Sequence, residues 1–351
     1  MLHRPLDDSP SHPWQVMYPT VQCHGSGWLD VGDGHEIYWE SCGHPGAPAA
    51  LFLHGGPGVG CTPEDRRWFD PQRWRVVLFD QRGAGRSRAK DLLRANTTAH
   101  LVADIEALRR LLGIERFMLF GGSWGATLAL AYAQAHSQRV SGLVLRGVFL
   151  ATRAERDWLY GPQGAARAHP AAWARLCDSV GVTAGTTAGT TAGAPLLDTL
   201  HERLQDPEQT LSAARAWWRW EQDLMAAETG TPALPRLPAS TAALCAAARI
   251  GVHHARHGWF IDEGQLLADA ARLHGLPGVI VQGQRDLVTP VGAARALAQA
   301  WPEARYCELP AAGHASTHPA IARQLITATD QMATLEETSD DRPHPRRQAS
   351  A

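Results

Sequence analysis

Gly121-Gly122-Ser123-Trp124-Gly125 follows the pattern G-x-S-x-G. A serine hydroxyl attacks a carbonyl only when a base takes its proton, and that base must be held in one tautomer by an acid. Suitable partners follow Ser123 in the order acid then base, as Asp286 and His314. That order is one of those in which serine nucleophiles on sharp turns are found. Upstream, His54-Gly55-Gly56-Pro57-Gly58 forms a glycine-rich loop whose backbone N–H groups can face a developing oxyanion. Asp262 and Asp269 are rivals for the acid, and His54 for the base. The two aspartates precede the strand that Asp286 follows, and His54 would break the order, so His54 reads as structural within its loop.

The flanking sequence must place these groups together. Phe117 to Phe120 is apolar at every position, as a strand covered on both faces requires, and the Ala/Leu-rich run 126–134 favours a helix. Between them the glycines allow a sharp turn and a close pass of strand and helix. Buried strands are predicted at 49–53 and 140–145, further strands at 74–79, 278–282 and around 305–309, and a hairpin at 27–40 about an Asp33-Gly34 turn. Helices are predicted at 101–112, 291–300 and 318–334. Asp286 and His314 each follow a strand, so both fall at the carboxyl edge of the sheet, beside the serine turn. The Asp80–Ser87 loop contains glycines but has neither G-x-G-x-x-G nor a P-loop Lys-Ser/Thr, which argues against a nucleotide site.

With 351 residues the chain exceeds one plain core, so an insertion or a second domain is expected. A formal net charge of −2 gives no reason to expect nucleic acid or a membrane as partner. No basic segment followed by an apolar one opens the chain, and no apolar run approaches about 18 residues, which predicts a soluble, cytoplasmic protein. The six cysteines are scattered without a C-x-x-C pair, so buried reduced thiols are expected rather than zinc or disulfides. Lys90 is the sole lysine among 33 basic residues, which we read as a compositional bias.

Taken together, several motifs resemble those of the proline iminopeptidases (prolyl aminopeptidases), serine peptidases of the α/β-hydrolase fold. They are His54–Gly58, Asp80-Gln-Arg-Gly83 with Gly85-Arg-Ser87, Asn96-Thr-Thr98, Gly121–Gly125 and Leu145-Arg-Gly147. The resemblance spans roughly residues 20–334. It implies a mostly parallel, doubly wound sheet with an inserted helical cap. It implies Ser123 as nucleophile, Asp286 and His314 as its partners, and the backbone N–H groups of Gly56 and Trp124 as the oxyanion hole. It also implies release of an N-terminal proline from small peptides through an acyl-enzyme, with no metal or cofactor. The expected division is an N-terminal extension 1–20 lying loosely on the surface, a core of 21–150 and 263–335, a cap 151–262, and a disordered tail 336–351. Within the cap, the Thr-Ala-Gly-Thr tract 183–194 is low-complexity sequence and is expected to form a surface loop.

An aminopeptidase must hold a free ammonium, for which one or two carboxylates near the nucleophile are the physical solution. Trp217-Trp218-Arg219-Trp220-Glu221 resembles the family's tryptophan-glutamate motif, which makes Glu221 the candidate amine anchor. In Ala248-Arg-Ile-Gly-Val-His253, Gly251 stands where the family's second glutamate is expected. The alternative reading is therefore an esterase, amidase or lactonase of the same fold with altered amine recognition.

Overall fold

The apolar runs lie side by side in one sheet. The computed structural model describes residues 16–182, 193–229 and 240–340. Its strands are β1 (Cys23–Asp30), β2 (His35–Gly43), β3 (Ala49–Leu53), β4 (Arg75–Asp80), β5 (Arg88–Ala89), β6 (Phe117–Ser123), β7 (Val140–Val148), β8 (Gly278–Gly283) and β9 (Ala304–Leu309). They are ordered β1-β2-β4-β3-β6-β7-β8-β9, with β5 paired to β2. From β4 to β9 the neighbours are parallel, while β1, β2 and β5 form an antiparallel margin. The hairpin turns at 31–34, and its strands extend beyond the span expected from the Asp33-Gly34 signal because pairing continues to Cys23 and Cys42.

Helices cover both faces. Helix α1 (Thr98–Leu111) starts at Thr97, whose hydroxyl accepts the His100 N–H. With α2 (Trp124–Ala135) and α10 (Val291–Ala300) it closes one apolar core, which includes Leu53, Leu119, Leu128 and Leu297. On the other face α11 (Pro319–Asp340) packs Ile321, Leu325 and Met332 against Phe52, Val76 and Phe120. This helix continues past 336, where a tail was expected, and residues 341–351 lie outside the described residues.

Between β7 and β8 the described residues form α3 (Arg153–Tyr160), α4 (Ala165–Ala168), α5 (Pro170–Val180), α6 (Ala194–Gln205), α7 (Thr210–Thr229), α8 (Thr241–Arg256) and the short α9 (Gln265–Ala268). Their interior is built on tryptophans. Trp173 and Trp220 meet edge to face with ring centroids 5.5 Å apart, and the Trp220 indole N–H donates to Leu159 O at 3.0 Å. The low-complexity tract falls outside the described residues except for its last two positions, of which Ala194 begins α6.

Of the N-terminal extension, residues 16–20 are described, and within them Met17 and Tyr18 are held to the core rather than loose. Met17 is 8% exposed in the α11-side core, the Tyr18 hydroxyl donates to Asp330 at 2.7 Å, and Arg67 Nε donates to Tyr18 O at 2.7 Å. Among the described residues no helix is long and apolar enough to cross a membrane.

Candidate active site

Ser123 sits at the junction of β6 and α2 with φ 58° and ψ −126°, a strained conformation for a residue with a side chain. The neighbouring glycines make the junction possible. A Cβ on Gly121 would lie 2.2 Å from Gly125 O, and one on Gly125 would lie 2.1 Å from Leu53 O. Strand, turn and the end of β3 are thus closer than any side chain allows. Trp124 is the first residue of α2, so its N–H belongs to the unpaired, positive end of the helix. The loop after β3 lies against the same turn, since a Cβ on Gly55 would stand 3.8 Å from Ser123 Cβ. Gly56 and Ser123 line one cavity.

His54 is 1% exposed; its Nε2 accepts the Gln81 N–H at 3.0 Å, and its Nδ1 lies 2.9 Å from Gly55 O and 3.3 Å from Gly60 N. The Gln81 amide donates in turn to His54 O at 3.0 Å and accepts from the Trp124 indole at 2.8 Å. This network fixes the glycine loop to the loop after β4 and to the serine turn. Both ring nitrogens of His54 are engaged in it.

Asp286 and His314 come from loops after β8 and β9. Those loops are joined by hydrogen bonds from Gln284 N to Leu309 O at 3.0 Å and from Arg285 N to Ala312 O at 2.9 Å. Asp286 is 4% exposed and its oxygens are divided between two tasks. Oδ1 accepts the N–H groups of Val288 and Thr289 at 3.0 and 2.7 Å. Oδ2 accepts the Thr289 hydroxyl at 2.8 Å, the Gln282 amide at 3.1 Å and His314 Nδ1 at 2.8 Å. Nδ1 therefore carries the proton and Nε2 is left as the basic atom. Burial pushes the His314 imidazole below its ordinary value of 6.5; the attraction of Asp286 opposes that shift and the charge of Arg146 adds to it.

The cavity, of about 460 Å³, extends from Ser123 and His314 to the cap helices, where Glu221, Trp218 and Tyr160 line it. Glu221 has no hydrogen-bond or ion-pair partner among the described residues, and burial raises its carboxyl to about 7. Gly251 lines the same cavity. The space beside it is filled, because a Cβ there would lie 2.7 Å from Cζ2 of Trp217. That ring is 1% exposed and its N–H donates to the Tyr160 hydroxyl at 3.2 Å.

Two neighbours of the base were assigned no role from sequence. Thr289, three residues beyond Asp286, bonds both Asp286 and His314; the short Asp-to-Thr spacing was its signal. Arg146 Nη1 donates to His314 Nε2 at 3.1 Å and to His314 O at 2.9 Å. Its signal was a charge directly after the apolar run 140–145 of a central parallel strand.

Cys23, Glu40 and Cys42 form the one group among the described residues whose possible metal-ligand atoms fall within 4.8 Å of one another. Glu40 is held there by Arg66 at 2.9 Å and Arg86 at 2.8 Å. Two guanidinium charges oppose a bound cation, so the donor set fits a metal poorly.

The model of the α/β hydrolase fold family matches residues 48–318. The chain is 44% identical to a proline iminopeptidase of Xylella fastidiosa (strain Temecula1 / ATCC 700964), over 90% of this chain and 99% of the relative. It is 40% identical to a proline iminopeptidase of Arabidopsis thaliana, over 92% of this chain and 83% of the relative. Among solved structures it resembles a proline iminopeptidase-related protein from Thermus thermophilus. That match has 25% identity and a TM-score of 0.52, covering 88% of this chain and 99% of the other.

Proposed function

This chain belongs to the proline iminopeptidases of the α/β-hydrolase fold, and from that premise we propose that it is a serine aminopeptidase releasing N-terminal proline from small peptides. The observation that carries the reading is the relay from Asp286 Oδ2 to His314 Nδ1 at 2.8 Å, beside a serine held at φ 58°. Ser123 Oγ gives its proton to His314 Nε2 and bonds to the prolyl carbonyl carbon. The oxyanion points at the N–H groups of Gly56 and Trp124. As it collapses, the C–N bond breaks and His314 returns the proton to the leaving amine. Water then cleaves the prolyl ester of Ser123, with the same imidazole as base. Glu221 receives the substrate's ammonium at the cap end of the cavity, and the peptide is taken from the cytoplasm.

A fluorophosphonate probe and a proline anilide test this together. The enzyme should hydrolyse the anilide and bind the probe covalently in 1:1 ratio, with both lost in Ser123→Ala. Probe attached elsewhere, or activity surviving in that variant, would refute the assignment of Ser123.

A further inference from the structure

His314 Nε2 has to receive the Ser123 proton, yet in this structure it accepts a hydrogen bond from Arg146 Nη1 at 3.1 Å. A cationic donor on the basic lone pair competes with the serine hydroxyl, so Arg146 has to leave Nε2 in a productive complex. Resting on the aminopeptidase reading above, we propose that Arg146 binds the C-terminal carboxylate of the residue being released, which makes Pro-Xaa dipeptides the favoured substrates.

Three observations lead there. Arg146 stands at the carboxyl end of β7, beside Gly122 in the ladder and on the backbone oxygen of His314, so it borders the atoms that react. The leaving amine takes its proton from His314 Nε2 and therefore departs next to this guanidinium. In a dipeptide the carboxylate lies within one residue of that amine, about 3.8 Å, and each further residue carries it about as far again. Charge points the same way. Apart from His314, Arg146 is the only basic side chain lining the cavity among the described residues, and the other charged lining groups, Glu64, Asp65 and Glu221, are acidic. A guanidinium and a carboxylate pair through two parallel hydrogen bonds, a better match than one bond to an imidazole. A zwitterionic dipeptide would therefore place its ammonium at Glu221, its carboxylate at Arg146 and its peptide bond at Ser123. Binding the carboxylate would also free Nε2 to act as base.

The test compares kcat/KM for Pro-Ala, Pro-Ala-amide and Pro-Ala-Ala, with proline anilide as reference. The wild-type enzyme should prefer Pro-Ala to its amide by about tenfold or more, the discrimination expected of one charge-assisted contact. Arg146→Gln should bring that ratio close to one, and Arg146→Lys should keep part of it. A merely structural arginine would lower all the rates together and leave the ratio unchanged. Equal wild-type rates on dipeptide and amide, or a preference that persists in Arg146→Gln, overturns the proposal. If Arg146→Gln does not fold, the wild-type ratio and Arg146→Lys still decide. Failure of the wild-type enzyme on proline anilide would instead strike at the aminopeptidase reading itself.

Discussion

Two carboxylates, Asp286 buried behind His314 and Glu221 on the cavity wall, have opposite surroundings. Asp286 accepts five hydrogen bonds, one of them from the base, whereas Glu221 accepts none from the described residues and is raised by burial to about 7. A carboxylate left unpaired in an apolar pocket favours a cationic ligand, since pairing relieves the desolvation it bears. This contrast fixes a pH dependence. Glu221 is neutral below about pH 7, so attraction for an ammonium is lost as pH falls through that value. His314 must also be neutral to act, and its pKa is lowered from 6.5, so its own acid limb lies below that. For proline anilide the acid limb of kcat/KM should therefore stand near pH 7, and for a neutral acetate ester it should stand lower. Glu221→Gln should remove the upper limb and leave the ester profile unchanged. An identical limb for both substrates would separate Glu221 from amine binding. At this scale Ser123 and Glu221 could be proposed from local patterns, and Asp286 and His314 from chain order and their place after strands. Arg146 and Thr289 were not assigned a role, because their importance lies in what the folded chain brings within 3.2 Å of one imidazole.

Packing between elements leaves no room for the carboxylate that the resemblance led us to expect at position 251. Helices α7 and α8 meet at Trp217 and Gly251, where the indole occupies the volume a side chain at 251 would need. The sequence shows that position 251 is a glycine, but contact between residues on two helices is not written in either. Two effects of Gly251→Ala compete. Removing a mid-helix glycine favours α8 by about 1 kcal/mol, while overpacking a filled site costs roughly 1–3 kcal/mol. Because Trp217 is buried and bonded to Tyr160, it has little freedom to yield. The second effect should win, so Gly251→Ala should lower Tm by a few degrees, and Gly251→Glu should lower it further without improving proline anilide turnover. A rise in Tm for the alanine variant would show that the ring moves aside easily. The serine turn was easier to read, since G-x-S-x-G between an apolar run and an Ala/Leu-rich run states its close approach directly.

Across the whole molecule, the inner parallel strands could be located from apolar runs, whereas β9, with Arg305 and Glu308, is no such run; β3 and α10 have the predicted bounds. What escaped was structure with weak periodicity. The two-residue β5 is too short to show alternation, and the capped turn Pro63–Trp68 carries no repeat. Met17 also escaped, because the short group Val16-Met17-Tyr18 in a Pro/His-rich stretch is too brief to show a period. The assembled sheet brings loops after β3, β6, β8 and β9 to one edge and sets the helices that follow β7 over it. Ser123 and His314 on one side and Glu221 on the other therefore belong to different layers of the molecule yet face one cavity. On the function proposed above, a charge in those helices directs catalysis at the sheet edge. The most direct test is kcat/KM for proline anilide against N-acetyl-proline anilide, in the wild-type enzyme and in Glu221→Gln. One charge-assisted bond is worth roughly 1.5–3 kcal/mol, or about 10- to 150-fold in rate. The wild-type enzyme should prefer the free amine by at least that factor, and Glu221→Gln should remove most of the preference without slowing the acetylated substrate. Equal rates on the two anilides, or an equal fall on both in Glu221→Gln, would contradict the account and leave a hydrolase that does not read the amine.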